Sequence, residues 1–240
     1  MPAYGNILPN LLQIILINVI LSGDNAVVIG MAAHTLPPKQ RRFAIIFGGG
    51  AAIVLRIVLT TVAALLLAVP AVRAVGGVLL LWIAFKLLEQ EEEKAQGERT
   101  DMTLGSAILT ILVADLIMSL DNVLGVAAAS GGNLGLLIFG LLVSMAIVMV
   151  GGGLFAELID RVWWLAYAGA AVIAWTGTDI ALSDQNVKPF VEQLPDLAPL
   201  LLTAVVTVVV VAAAHFVHRH PRSATPRRPA PESVPASRGH

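Results

Sequence analysis

The stretch Asn18-Val19-Ile20-Leu21-Ser22-Gly23-Asp24-Asn25-Ala26-Val27-Val28-Ile29 sets a carboxylate beside a carboxamide inside an apolar run that extends from about 7 to 33. About 20 apolar helical residues cross the hydrocarbon core of a bilayer, so this run is long enough to span one. An ionisable side chain at that depth is unfavourable and is usually kept for ions, protons or substrates. The motif returns as Met118-Ser119-Leu120-Asp121-Asn122, again within an apolar run. Two copies of one unfavourable motif point to a single site built from two halves.

Working outward, the chain reads as an all-α membrane protein. Of its 240 residues, 57% are hydrophobic and 13% charged, too apolar a balance for an ordinary soluble domain. Seven runs have spanning length: 7–33, 43–68, 71–88, 106–129, 134–153, 163–182 and 197–217. Pro37-Pro38, Pro70 and Gly131-Gly132-Asn133 punctuate the links. The longest link, 89–103, is acidic and reads as a solvated loop. The first run lacks a basic lead and carries Asp24, so it reads as retained rather than cleaved. These features predict a transmembrane domain over 1–218, followed by a disordered cytoplasmic tail over 219–240 rich in Arg, Pro and Ser.

The repeat extends beyond the motif. Ile46-Phe47-Gly48 matches Ile138-Phe139-Gly140, and Gly76 and Trp82 match Gly169 and Trp175. Runs one to three (7–88) therefore resemble runs four to six (106–182), with 197–217 left over. Three crossings are an odd number, so the second copy runs the opposite way. This is a 3+3 inverted repeat plus one extra helix, an arrangement that places transporter sites near the midplane.

Basic residues set the orientation. Arg73 and Lys188 lie on the side shared with the N-terminus. Lys39, Arg41, Arg42, Lys94, Arg99, Arg161 and the tail arginines lie on the other. The positive-inside rule then puts the N-terminus outside and the C-terminus in the cytoplasm, in what reads as a bacterial inner membrane. Net charge is −1 and gives no case for a nucleic-acid partner. There is no cysteine, which excludes disulfides, thiolate metal sites and cysteine nucleophiles.

The chemistry of the paired motifs is that of a hard cation. Asp24 and Asp121 offer carboxylate oxygens, and Asn25 and Asn122 add amide carbonyls. Adjacent helical residues point about 100° apart. For both to face one ion the helix should bend or unwind, which Gly23 would allow in the first copy; Leu120 stands at the equivalent place in the second. Oxygen donors of this kind suit Mg²⁺, Mn²⁺ or Ca²⁺. Zinc or copper would draw on His or Cys, and His34 and His215 sit at helix ends. Ser22 and Ser119 read as bending the helix through bonds to its carbonyls.

Further polar residues carry alternatives. Asn18 precedes Asp24 at the place where Asp115 precedes Asp121. Asp115 is about 120° off the face of Asp121, and reads either as a proton or second-ion group or as the partner of Arg56. Arg56 lies too deep to snorkel easily, so it needs an acidic partner. It is either a fixed ion pair or a tethered charge that moves away when a cation enters. Met118 adds a soft sulfur favouring Mn²⁺, or simply packs. Lys86 reads as a snorkelling cation near a helix end, and its repeat counterpart Asp179 as a vestibule acid or a solvated side chain.

At these residues the chain resembles the TerC family of integral membrane proteins, in its YjbE-type branch. The resemblance rests on 18–29, on Gly50-Ala51-Ala52-Ile53-Val54-Leu55-Arg56-Ile57, on 76–86 and on Ser119-Leu120-Asp121-Asn122-Val123, and covers about 6–217. It implies manganese efflux, metal supply to exported proteins, or tellurium-ion resistance. It also implies Asp24, Asn25, Asp121 and Asn122 as ligands of the transported ion. The expectation is an exporter of divalent cations, Mn²⁺ foremost, with no permanently bound cofactor, seated in the lipid bilayer and able to couple to protons.

Two other functions compete. A membrane component that scaffolds a resistance or metalation complex without transport would use the same residues for assembly. An intramembrane aspartyl protease would use two facing aspartates sharing a proton, but Leu21-Ser22-Gly23-Asp24 lacks the first glycine of the Gly-x-Gly-Asp pattern and no Tyr-Asp precedes the second aspartate. A retinal photoreceptor is excluded, because 197–217 holds no lysine for a Schiff base.

Overall fold

The computed structural model describes the backbone over 7–67, 71–96, 102–129 and 134–219, and side chains over 11–60, 71–96, 102–120 and 135–217. The described residues form helices joined by short turns, with no strand among them. The first apolar run is broken in two. α1 (Ile7–Leu21) stops and α2 (Gly23–His34) resumes after a bend of 52°. Ser22 between them leaves helical geometry, at φ −113° and ψ 13°. Gly23 adopts no left-handed backbone, and a Cβ added there would meet nothing. Its contribution to the break is its low helix propensity rather than any steric need.

The remaining helices are α3 (Pro38–Leu67), α4 (Val72–Ala95), α5 (Leu104–Ala129), α6 (Leu134–Ile159), α7 (Trp164–Leu182), the single turn α8 (Lys188–Val191) and α9 (Ala198–Arg219). Pro38 opens α3, where its fixed φ and missing N–H fit the first helical position. The acidic link departs from expectation. Glu89, Glu91, Glu92 and Glu93 are the last turns of α4, because Glu and Lys are good helix formers and several of these side chains find partners on other helices. Glu98 and Asp101 lie outside the described residues, as do Pro70, the turn 131–133 and the tail from His220 onward.

Among the described residues, four helical stretches are long and apolar enough to cross a membrane: Pro38–Thr60, Gly135–Ile159, Trp164–Leu182 and Ala198–Val217. The bent pair α1–α2 makes a fifth. α4, which carries Arg73, Lys86 and Glu89, is not among them, and the described side chains of α5, Leu104–Leu120, make a shorter apolar helix. The bundle is apolar outside and partly polar inside. Ile20, Val54, Val75, Trp82, Leu109, Val150 and Val208 are exposed, whereas Asn18, Asn25, Arg56, Asp115, Ser119 and Ser144 are buried. Water would oppose that distribution; a hydrocarbon surround favours it.

The most extensive packing is of α4 on α7, of α3 on α5, and of α1 and α2 on α6, with α9 laid against α4 and α7. Small residues permit the close crossings. A Cβ on Gly77 would run into the Gly177 carbonyl and Ala181 across the α4–α7 seam. Gly48 faces Ile111 where α3 meets α5, and Gly140 faces Ile14 where α6 meets α1.

At the end of the bundle away from His34, Asp184 ties α7 to the start of α4. Its Oδ2 accepts the backbone N–H groups of Arg73 and Ala74, each at 3.1 Å, and its Oδ1 accepts that of Asn186 at 2.9 Å. The Asn186 N–H above all, joined by those of Ala74 and Arg73 and by the Arg73 charge, outweighs burial and holds this carboxyl below its ordinary value. The folded state therefore binds the proton less readily than the unfolded chain. Its stabilising effect is present at neutral pH and is lost as pH falls through the carboxylate range to the folded value. Melting temperatures from about pH 7 to about pH 3 test this. Asp184→Asn is expected to melt lower than the parent at neutral pH, with the gap closing in acid; a gap of constant size would exclude the charge as its source.

Candidate cation site

The helix break creates the site by its effect on direction. α1 brings Asn18 to the bundle centre, Ser22 follows at the break, and the first turn of α2 then turns Asp24 and Asn25 along a different axis. Four further helices converge there. Arg56 comes from α3, Asp115 and Ser119 from α5, Ser144 from α6 and Thr176 from α7.

Arg56 is the hub. Its Nη2 donates to Asp115 Oδ1 at 2.6 Å, and its Nη1 donates to Asn18 Oδ1 and Ser22 Oγ, both at 2.9 Å. Asn18 Nδ2 donates onward to Ser144 Oγ at 2.5 Å. Ser119 Oγ donates to Asp115 Oδ2 at 3.3 Å. Of the two roles open to Asp115 in the sequence, pairing with Arg56 is the one this arrangement displays. The side chains of Arg56 and Asp115 are 3% and 4% exposed, so this charge pair is almost wholly withdrawn from water. Ser22 and Ser119 depart from expectation. Among the described residues their hydroxyls bond the Asn18, Arg56 and Asp115 side chains rather than helix carbonyls, because those polar partners are within reach in the bundle interior.

Beside this hub lie Asp24 and Asn25. Asn25 Nδ2 donates to Asp115 Oδ1 at 2.7 Å. Its carbonyl Oδ1 is buried and, among the described residues, has no partner. Leaving such an oxygen unbonded costs about 1–3 kcal/mol, which a bound cation or water would offset. Asp24 is half-buried. Its Oδ1 accepts the Asn25 backbone N–H at 3.0 Å and its Oδ2 accepts the Thr176 hydroxyl at 3.2 Å. Among the described residues no cluster of three or more acidic or histidine side chains is gathered for a metal; the Asp24 carboxylate and the Asn25 carbonyl are oxygen donors, the type that suits Mg²⁺, Mn²⁺ and Ca²⁺.

The other expected residues fall variously. Asp121 and Asn122 are within α5, but their side chains lie outside the described residues. Met118 is buried in the apolar core, where it packs. Lys86 is exposed and pairs with Glu89 at 2.7 Å. Asp179 is exposed and lines a cavity of about 410 Å³ with Lys188, Glu192 and Asp196, away from the hub. Ser144 and Thr176 were not anticipated. Each is a polar residue in an apolar helix, which was the signal that marked Asn18.

A sequence model of the Integral membrane protein TerC family matches residues 5–222. The uncharacterized membrane protein YjbE of Bacillus subtilis (strain 168) is 39% identical over 207 residues, covering 86% of this chain and 94% of that protein. The uncharacterized membrane protein YkoY of the same organism is 26% identical over 191 residues, covering 72% of this chain and 59% of that protein. No solved structure matches. With a family match over nearly all of the helical region, and the apolar bundle that such a membrane protein needs, this chain belongs to the TerC family of integral membrane proteins.

Proposed function

We propose that this chain is a carrier, not an enzyme, that exports a hard divalent cation, Mn²⁺ foremost, across the cytoplasmic membrane without a resident cofactor. The observation that carries the reading is the buried Asn25 Oδ1, without a partner among the described residues, beside the Asp24 carboxylate at a break in an apolar helix. Asp24 and Asn25 are one half of the ion site and Asp121 and Asn122 the other, with Asp115 bonded to Asn25 at its edge. The oxygen-only donors favour a hard ion, and the family resemblance favours manganese among the hard ions.

The architecture of this reading is seven spans, with α1–α4 and α5–α7 as inverted halves and α9 as the extra helix. The packing supports it. Exchanging the halves turns the contact of α3 with α5 into that of α6 with α1 and α2, and the contact of α4 with α5 into that of α7 with α2. It also turns Gly48 against Ile111 into Gly140 against Ile14. Arg56 draws on equivalent residues from both halves, Asn18 and Ser22 from one and Asp115 from the other. Rocking of such halves about a shared midplane site gives alternating access. With Lys39, Arg41, Arg42 and Lys94 inside, loading is cytoplasmic and release external, and protonation of the aspartates favours release.

Liposomes containing only this protein test the reading. Radioactive Mn²⁺ is expected to accumulate down its gradient, with excess Zn²⁺ or Ca²⁺ competing less well than unlabelled Mn²⁺. An imposed pH gradient is expected to change the initial rate. No flux from well-folded protein under any gradient would remove the carrier and leave a membrane component that acts through partners.

A further inference from the structure

The end of the bundle that carries His34 holds a cluster the ion site does not use. His34 closes α2 and is 1% exposed. Its Nδ1 lies 2.9 Å from the Met31 carbonyl oxygen. Its Nε2 lies in a short contact with Glu91 Oε2 of α4. A carbonyl oxygen only accepts, so Nδ1 carries hydrogen. A bare Nε2 would then turn its lone pair on a carboxylate, so a proton also lies between Nε2 and Oε2. Both ring nitrogens face acceptors, and the pair holds one proton more than a neutral imidazole beside a carboxylate. When that proton leaves, one of the two buried hydrogen bonds is lost, whichever tautomer remains.

We propose that His34 and Glu91 form a proton-binding latch that holds the α2–α3 corner against α4 and releases it when the proton leaves. The surroundings fit a latch. From α3, Arg41 donates Nη2 to the His34 carbonyl and pairs through Nη1 with Asp160, which follows α6, at 2.8 Å. From α4, Lys94 meets the same Asp160 at 2.9 Å, and Glu92 faces His215 of α9 at 3.0 Å and accepts the Tyr167 hydroxyl of α7. The opening turn of α5, packed near Leu36 through Ala107, brings no charge among its described residues. Arg41 repels a charged imidazole, whereas Glu91 and Asp160 favour it. The Arg41 and Lys94 bonds to Asp160 join charges fixed near neutral pH; the His34–Glu91 bond needs a proton on the imidazole, and the Glu92–His215 contact is a second imidazole–carboxylate pair that the His34 variant leaves in place. The inference stands without the carrier reading, and within it supplies a proton site remote from Asp24.

The absence of native cysteine makes the test direct. Gln40→Cys on α3 and Ala95→Cys at the end of α4, both exposed positions, carry spin labels in lipid nanodiscs without divalent cation. The label separation is expected to lengthen by several ångströms between about pH 6 and about pH 9, across the histidine range. In His34→Gln, an amide N–H bonds Glu91 without titrating, and the separation is expected to stay short throughout. Glu91→Gln removes the carboxylate that shares the proton and is expected to abolish the pH response too; it decides the matter should His34→Gln not fold. No lengthening in the parent pair, or lengthening that survives in either folded variant, overturns the proposal. Neither readout depends on transport.

Discussion

Asp24→Asn is expected to lower Mn²⁺ flux in proteoliposomes by at least about 100-fold, the upper end of what changes around a metal site do to affinity or activity. The fold should survive. The substitution is isosteric, and the amide oxygen can still accept either the Asn25 N–H or the Thr176 hydroxyl that Asp24 accepts at the helix break. What disappears is the charge. In a site partly withdrawn from water, a carboxylate holds a divalent ion more strongly than a carbonyl dipole does. Thr176→Val is the informative contrast. It removes one hydrogen bond, worth about 1 kcal/mol, and leaves the carboxylate, so a several-fold change at most is expected. Initial flux rates and melting temperatures measured side by side separate the two effects. Near-parental flux through a well-folded Asp24→Asn variant would place the ion elsewhere in the bundle.

How far this site could be read from sequence depends on the kind of residue. Asp24, Arg56 and Asn18 were legible because a polar group in an apolar run stands out whatever it touches. The break at Ser22 was legible for a geometric reason, since two adjacent helical residues cannot face one ion without a bend. The outcome differs in mechanism, because Gly23 occupies open space in an ordinary backbone conformation. The bond between Arg56 and Asp115 was only one of two even possibilities. Choosing it needs the register of α3 against α5, which periodicity does not report. Thr176 and Ser144 were missed because a single hydroxyl in a helix commonly bonds its own backbone, as Ser144 also does to Gly140. The acidic stretch was misread for the opposite reason. A run of like charges resembles solvated loop until Asp160, His34 and His215 arrive from distant parts of the chain to meet it and its neighbour Lys94.

Asp115→Asn is expected to be among the most destabilising substitutions in the bundle, lowering stability by about 3–5 kcal/mol. It takes away the carboxylate that the buried Arg56 guanidinium bonds, leaving its Nη1 still bound to Asn18 and Ser22, its Nε without a partner among the described residues, and the more distant Asp24 charge as partial compensation. Arg56→Gln removes the opposite member and leaves the Asp115 carboxylate accepting, among the described residues, from Asn25 and Ser119. The double variant sets amide against amide and strands no charge, so it should lose less than the sum of the two, the mark of a coupled pair. The single variants also differ in a way that bears on function. Arg56→Gln leaves an unneutralised carboxylate hydrogen-bonded to Asn25, and a divalent cation can supply the missing charge there. Millimolar Mn²⁺ is therefore expected to raise the melting temperature of Arg56→Gln more than that of the parent, and that of Asp115→Asn less. That order would make Arg56 a tethered cation competing for the same carboxylate as the transported one. Equal shifts in all three proteins would remove the pair from the ion path and leave it as the brace that holds α1, α3 and α5 together.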